Sequence, residues 1–249
     1  MGTTLSRLKE IIQQKGAGFV LLLDPDKSSL PQLPDTIHQA IEAGVDVFFL
    51  GGSFLFQNNF DTFVQTVKQA AGDHPVILFP GSIYQLSAHA DAVLYLSLIS
   101  SRNPEHLIGT QVLAAPLVWK LGLETISCGY MIIESGKLTS AQFLSNSSPI
   151  PRNKPDIALA HALAAQYLGM QTVYLESGSG AELTVPEEMI QQIAQHIRIP
   201  LIVGGGIRSP ETAAAKVQAG AQLVVVGNFF EKSDHIHLMR EFASAIHQK

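Results

Sequence analysis

Two kinds of residue recur at the places where this chain could do chemistry: carboxylates that follow apolar runs, and clusters of glycine in the same positions. Asp24-Pro25-Asp26-Lys27 follows the run Phe19 to Leu23, and Glu176-Ser177-Gly178-Ser179-Gly180 follows Thr172 to Leu175. Gly204-Gly205-Gly206 follows Leu201 to Val203, and Gly227-Asn228 follows Leu223 to Val226. A glycine carries no side chain to keep an anion away from backbone N–H groups, and a helix N-terminus behind it adds positive partial charge. Taken together the clusters describe a phosphate cradle; singly, each is equally a tight turn from strand to helix. Asp24 offers the hard oxygen that suits Mg²⁺, an ion that takes one or two carboxylates, substrate phosphates and waters. Ser53, in Gly51-Gly52-Ser53, would add a hydroxyl. The structural alternative is that Asp24 caps a turn before Pro25; Asp26 reads as solvated more than as a ligand, and Lys27 is either a phosphate contact or a surface lysine. Glu176 stands directly before the cradle glycines, where it could accept a proton from a substrate hydroxyl whose phosphate is anchored. A salt bridge at the rim is the structural alternative for Glu176 and for Glu134, which ends another apolar run.

The histidines do not add to this. His235 and His237 are two residues apart in a helical stretch, which sends them to different faces, and His161 reads as structural. Neither a Ser-His-Asp arrangement nor a strand ending in a Schiff-base lysine can be assembled, so covalent catalysis is disfavoured.

The elements that must hold these groups are short runs of Val, Ile, Leu and Phe. About eight can be read: Phe19 to Leu23, Val45 to Leu50, Val76 to Phe79, Ala92 to Leu96, Tyr130 to Ile133, Thr172 to Leu175, Leu201 to Val203 and Leu223 to Val226. Runs without a polar face are buried on both sides, as parallel strands covered by helices are. Helices are marked between them. Ser209 reads as an N-cap before Pro210, with Ala213, Ala214 and Val217 on one face and Gly220 as the stop. Pro155-Asp156 opens a helix in which Ile157, Ala160, Leu163, Ala164 and Tyr167 recur, closed by Gly169; Pro186-Glu187-Glu188 opens one whose inner face is Met189, Ile190, Ile193 and Ile197. Alternating β and α in a chain of 249 residues with no linker predicts a single α/β domain over 1–249, a (β/α)8 TIM barrel. The strand ends named above would then meet at one face. The stretch Ser145 to Pro155 reads as a loop, with a mobile lid as the functional reading.

Composition narrows the partners. The chain is 46% apolar with a mean hydropathy of +0.20 and a net charge of −5, which excludes disorder and leaves no basic block for nucleic acid. Its one cysteine, Cys128, cannot form an internal disulfide, and the N-terminal stretch Met1 to Lys15 reads as a surface helix, so a reducing cytoplasmic setting is expected. No apolar run is long enough to span a bilayer.

Leu22-Leu23-Asp24-Pro25-Asp26-Lys27, Phe49 to Ser53, Tyr174-Leu175-Glu176-Ser177-Gly178-Ser179-Gly180, Val203 to Ile207 and Gly227-Asn228 occur in this order. Together they resemble the geranylgeranylglyceryl phosphate synthase family and its bacterial heptaprenylglyceryl relatives, from the first strand to the last. Asn153-Lys154-Pro155-Asp156 and Tyr167 to Met170 are similar to the family as well. The resemblance implies transfer of a prenyl group from a polyprenyl diphosphate to the C3 hydroxyl of sn-glycerol 1-phosphate, with Mg²⁺ as cofactor. It implies that Asp24 and Ser53 bind the metal. Tyr174, Leu175, Glu176, Ser177, Gly178, Ser179, Gly180, Gly205, Gly206, Gly227 and Asn228 would hold glycerol phosphate, and Glu176 would act as base. Some members carry a lysine where this chain has Leu22, and its absence is a mark of the family's second sequence group.

A prenyl tail needs an apolar groove, for which Phe54, Phe56, Tyr95, Leu117 and Trp119 are candidates, with Trp119 as the residue that sets tail length; a geranylgeranyl tail is favoured. A homo-oligomer is expected, with contact at a membrane surface left open. The rival readings are another phosphate-binding barrel enzyme, such as a sugar-phosphate isomerase or lyase, and a non-catalytic barrel that binds a phosphorylated ligand.

Overall fold

Strands with two apolar faces need cover on both, and the chain supplies it by wrapping helices around a closed sheet. The computed structural model describes residues 3–231 and 233–248, so positions 1, 2, 232 and 249 of the expected domain lie outside the described residues. In chain order the elements are α1 (Thr3–Lys15), β1 (Gly18–Leu23), α2 (Leu33–Ala43), β2 (Val47–Leu50), α3 (Phe60–Ala71), β3 (Val76–Leu78) and β4 (Ala92–Leu98). There follow α4 (Thr110–Leu121), β5 (Glu124–Ile132), α5 (Ser140–Ser145), α6 (Pro155–Tyr167), β6 (Thr172–Glu176), α7 (Glu187–Ala194), β7 (Leu201–Gly204), α8 (Pro210–Gln218), β8 (Leu223–Val226) and α9 (Met239–Ile246). All eight strands are parallel and paired in sequence, and β8 closes on β1. The expected (β/α)8 barrel is therefore present, and its strand C-termini gather at one end.

Alternation along each strand divides the core in two. Val20, Phe49, Leu94, Cys128, Tyr174 and Val225 fill the barrel, while Phe19, Leu21, Phe48, Val173 and Leu175 pack outward against helices. Burial inside the barrel pushes the Cys128 thiol up to about 12, so it stays protonated. The helix α1 is more than the surface helix expected from its polar residues: Leu5 and Leu8 join the interior cluster and plug the N-terminal end of the barrel. The Glu124 carboxylate accepts from the first amides of α1, Thr4 N at 2.8 Å and Leu5 N at 3.0 Å, which holds the plug to β5.

A second carboxylate ties the same end together. Asp46, buried before β2, accepts from Phe19 N at 2.7 Å, from Lys15 Nζ at 2.5 Å and meets His247 Nε2 at 2.8 Å, joining α1, β1 and the end of α9. Burial alone would raise its pKa, but the His247 ring, the Lys15 ammonium and the Phe19 N–H together hold it below the usual carboxylate range. Because the folded-state pKa is depressed, the stabilisation is present above the unfolded value and is lost as pH falls through the folded one. Asp46→Asn is expected to cost about 3 kcal/mol near neutral pH. In denaturant titrations the gap between variant and wild type should close as the solution is acidified; a gap that stays constant into acid would refute the ionic role.

Three departures from expectation have local causes. No helix lies between β3 and β4; residues 79–91 cross as turns, so the barrel wall there is covered by loop residues such as Leu86 and Ala90 and not by a helix. The segment 146–154 is pinned, not a lid: Ile150 is buried, its N–H donates to Ile132 O at 2.8 Å, and its carbonyl accepts from Glu134 N at 2.9 Å. Arg152 adds bonds to Glu134 O and Thr184 O. Finally, α6 buries Ala158, Ala162 and Ala165, leaving Ile157 and Tyr167 outside. The N-cap of α8 is as expected, with Ser209 accepting from Thr212 N, and α7 buries Met189, Ile190 and Ile193. No described helix is long and apolar enough to cross a membrane.

Candidate active site

The strand ends converge on a cavity of about 480 Å³ at the C-terminal face. Asp24, Ser53, Tyr174, Glu176, Gly178, Ser179, Gly180, Gly205, Gly206, Gly227 and Asn228 all line it. Two predicted residues do not. Leu175 points outward into the helix-facing core by strand alternation, and Ser177 is fully buried, its N–H donating to Gly204 O at 3.1 Å.

Register places the carboxylate. Glu176 is paired with Gly204 across β6 and β7, so the end of one strand meets the glycines of the next. Its Oε1 accepts from Gly178 N at 2.5 Å. A Cβ on Gly205, whose φ is +87°, would come within 2.4 Å of that oxygen, so the close approach admits only glycine. Burial raises the Glu176 pKa above the ordinary 4.5, against the opposing pull of the Gly178 N–H and the Tyr174 hydroxyl. A carboxyl placed this way is a stronger base than an exposed one. The Tyr174 hydroxyl is itself fully buried and makes no well-formed hydrogen bond among the described residues, which leaves a donor beside Glu176 for a ligand oxygen. Below it the rings of Phe79, Tyr130 and Tyr174 pack with centroids 5.3–5.9 Å apart and form the cavity floor.

Three loops make the cradle. Ser179 Oγ donates to Asn228 Oδ1 at 2.6 Å and so ties the loop after β6 to the loop after β8. Arg208, which follows the glycines after β7, donates to Gly180 O at 3.3 Å and to Ala181 O at 2.7 Å. With those carbonyls drawn to the guanidinium, glycine amides and a cation border one concave surface, a fit for a phosphate. Arg208 was not singled out from sequence, although its place after Gly204 to Ile207 was a signal.

Beside the cradle, Asp24 follows β1, the strand next to β8. Its Oδ1 accepts from Asp26 N at 3.0 Å, and its Oδ2 lies 3.4 Å from Lys27 Nζ, which also pairs with Glu231 at 3.0 Å. Burial works against the Lys27 charge, but Glu231 and Asp24 raise its pKa, so the ammonium is kept at the rim of the cavity. Asp26 has a different task, accepting from Phe56 N and Gln57 N to shape the loop after β2. No group of three or more His, Cys, Asp or Glu is assembled for a metal among the described residues. The donors present, one carboxylate and the exposed Ser53 hydroxyl, are hard oxygens facing space that a diphosphate would share, a set that suits Mg²⁺ and not a softer ion that wants three or four protein ligands. Gln85, also missed from sequence, lies fully buried beneath this wall: its side chain bridges Gly52 N, Gly52 O and Gly81 N at 3.1, 2.8 and 3.1 Å. It fixes the turn that presents Ser53.

From the polar end the cavity runs toward the helix-free connection between β3 and β4 and toward α4, past Leu86, Tyr95, Leu98, Ala114 and Val118. Tyr95 is anchored there by its hydroxyl, which donates to Gln111 O on α4. Phe54 and Phe56 line the mouth, as expected. Leu117 and Trp119 do not belong to the groove: α4 turns both outward, and Trp119 is 85% exposed.

Known proteins were compared with this chain. The model of the PcrB family matches residues 9–246. A geranylgeranylglyceryl phosphate synthase of Chitinophaga pinensis is 47% identical over 239 residues, 95% of this chain and 94% of that protein. One of Thermococcus kodakarensis is 43% identical over 242 residues, 97% of this chain and 94% of that protein. Among solved structures, the (S)-3-O-geranylgeranylglyceryl phosphate synthase of Thermoplasma acidophilum in complex with its substrate sn-glycerol 1-phosphate superposes with a TM-score of 0.90 at 32% identity, covering all of both chains.

Proposed function

Because the chain belongs to the PcrB family, we propose that it is a prenyltransferase that joins a polyprenyl group to the C3 hydroxyl of sn-glycerol 1-phosphate. One observation carries the reading: a single cavity joins a cradle for one phosphate and a hard-oxygen wall to an apolar slot. A sugar-phosphate isomerase would have use for the first and none for the last.

Glycerol phosphate is held by the glycine loops after β6, β7 and β8, with its C3 hydroxyl at Glu176 and the Tyr174 hydroxyl beside it. The prenyl diphosphate lies with its head toward Asp24 and Ser53 and its tail along Tyr95, Leu98 and Ala114. Asp24 and Ser53 would hold Mg²⁺, which supplies charge neutralisation for the departing diphosphate. The C3 oxygen forms a bond to the first prenyl carbon as that carbon's bond to the diphosphate oxygen breaks; the electron pair leaves with the diphosphate, and Glu176 takes the hydroxyl proton. Two anchored ends hold the reacting atoms together, and this positioning is the main contribution of the fold.

The test is transfer of labelled sn-glycerol 1-phosphate into an organic phase with prenyl diphosphates of increasing length, with and without Mg²⁺. Label extracted with one preferred length is expected; bound glycerol phosphate without transfer at any length would overturn the reading. Tail length is set in this proposal by Tyr95, not Trp119. Tyr95→Ala opens the slot toward α4 and is expected to move the preferred donor to a longer prenyl chain, with kcat/KM for the longest donor rising about tenfold, while Trp119→Ala leaves the preference unchanged. Identical length profiles for Tyr95→Ala and wild type would remove Tyr95 from this role.

A further inference from the structure

The large apolar side chains left in water at the C-terminal end have a common address. Phe54 and Phe56 follow β2, Tyr84 follows β3, Leu138 and Phe143 follow β5 and Leu183 follows β6. A parallel barrel delivers all of these loops to the end where the cavity opens. Phe56 and Tyr84 are 83% and 78% exposed, a costly arrangement for a surface that meets only water. The display is built. Asp26 Oδ2 accepts from Phe56 N at 2.8 Å and its Oδ1 from Gln57 N at 3.0 Å, while the Phe54 and Phe56 rings pack at 5.1 Å. A buried-type pair of rings is thus fixed outward by a carboxylate. Phe54 and Phe56 also line the cavity, so the exposed rings at the rim and the apolar slot border one space. The exposed Lys137 next to Leu138 adds a cation at the same level.

We infer that this rim rests on the surface of a lipid bilayer, from which the prenyl donor enters the cavity; the inference rests on the prenyltransferase reading above. The donor has a tail that partitions into lipid, and a mouth bordered by aromatic rings and a lysine matches the boundary of headgroups and acyl chains. A second copy of the chain seated on these loops would close the mouth through which both substrates pass.

The full chain is mixed with vesicles of phosphatidylcholine and phosphatidylglycerol and sedimented, alongside the triple variant Tyr84→Ser/Leu138→Ser/Phe143→Ser, which alters no cavity-lining residue. Wild type is expected to sediment with the vesicles and the variant to lose about tenfold or more in vesicle affinity. Both should turn over detergent-dispersed donor equally, and the variant should lag with donor embedded in vesicles. Wild type that stays in the supernatant, or a variant that binds vesicles as well, would overturn the proposal. A variant changed in mass by light scattering with vesicle binding intact would make the patch a self-interface instead. Transfer in detergent without vesicle binding discards the docking surface and keeps the enzyme; vesicle binding without transfer in detergent does the reverse.

Discussion

Glu176→Gln is expected to lower kcat by about a hundredfold to ten-thousandfold, the range typical of a lost general base. The amide keeps the side chain's size and an oxygen to accept from Gly178 N, so the cradle is retained and KM for glycerol phosphate should move little. The wild-type rate should fall in acid as Glu176 is protonated, and it should do so at a higher pH than an ordinary glutamate would dictate, because burial raises this carboxyl. In the Gln variant that acid limb should vanish from the profile of what activity is left. Full turnover in the variant, or an unchanged acid limb, would take Glu176 out of the chemistry.

Asp24→Asn is the second large effect. It removes the charge and keeps the oxygen that accepts from Asp26 N, so the turn after β1 persists. The expected outcome is a loss of about a hundredfold or more in kcat/KM for the prenyl diphosphate, the scale of several kcal/mol that charge stabilisation by a metal provides. A higher Mg²⁺ concentration should be needed for half-maximal rate. Calorimetric titration with glycerol phosphate alone should change far less, since the bonds of Asp24 run to Asp26, Lys27 and Ser28 and not to the glycine loops. Equal losses for both substrates would mean that Asp24 supports the fold of the site and not the diphosphate.

The barrel was legible because its strands are apolar on both faces, a pattern that few other arrangements tolerate. Where that pattern fails, so does the reading. The start of β5 was lost because Glu124, Thr125 and Ser127 interrupt it; Glu124 caps α1 and the Ser127 N–H pairs with Gln171, both distant in sequence. The glycine cradle and Glu176 were legible from strand-end position alone, whereas Leu175 and Ser177 needed the alternation of β6 to be assigned outward. Trp119 was misplaced for a different reason: α4 is apolar on all sides, so no period in its sequence tells inside from outside. Gln85 left little local trace, because two of its three bonds go to Gly52, 33 residues away in the turn after β2.

The helix-free connection between β3 and β4 separates two properties that a central cavity would have fused. On the proposed reading the reacting atoms meet at the strand ends, while the tail would lie along the slot past Leu86, Tyr95 and Ala114. Residues that border the slot can therefore be exchanged without disturbing the catalytic end. On that reading, which bond is made and how long a tail is accepted would rest on different residues, so slot substitutions would retune tail length while the reaction stays fixed.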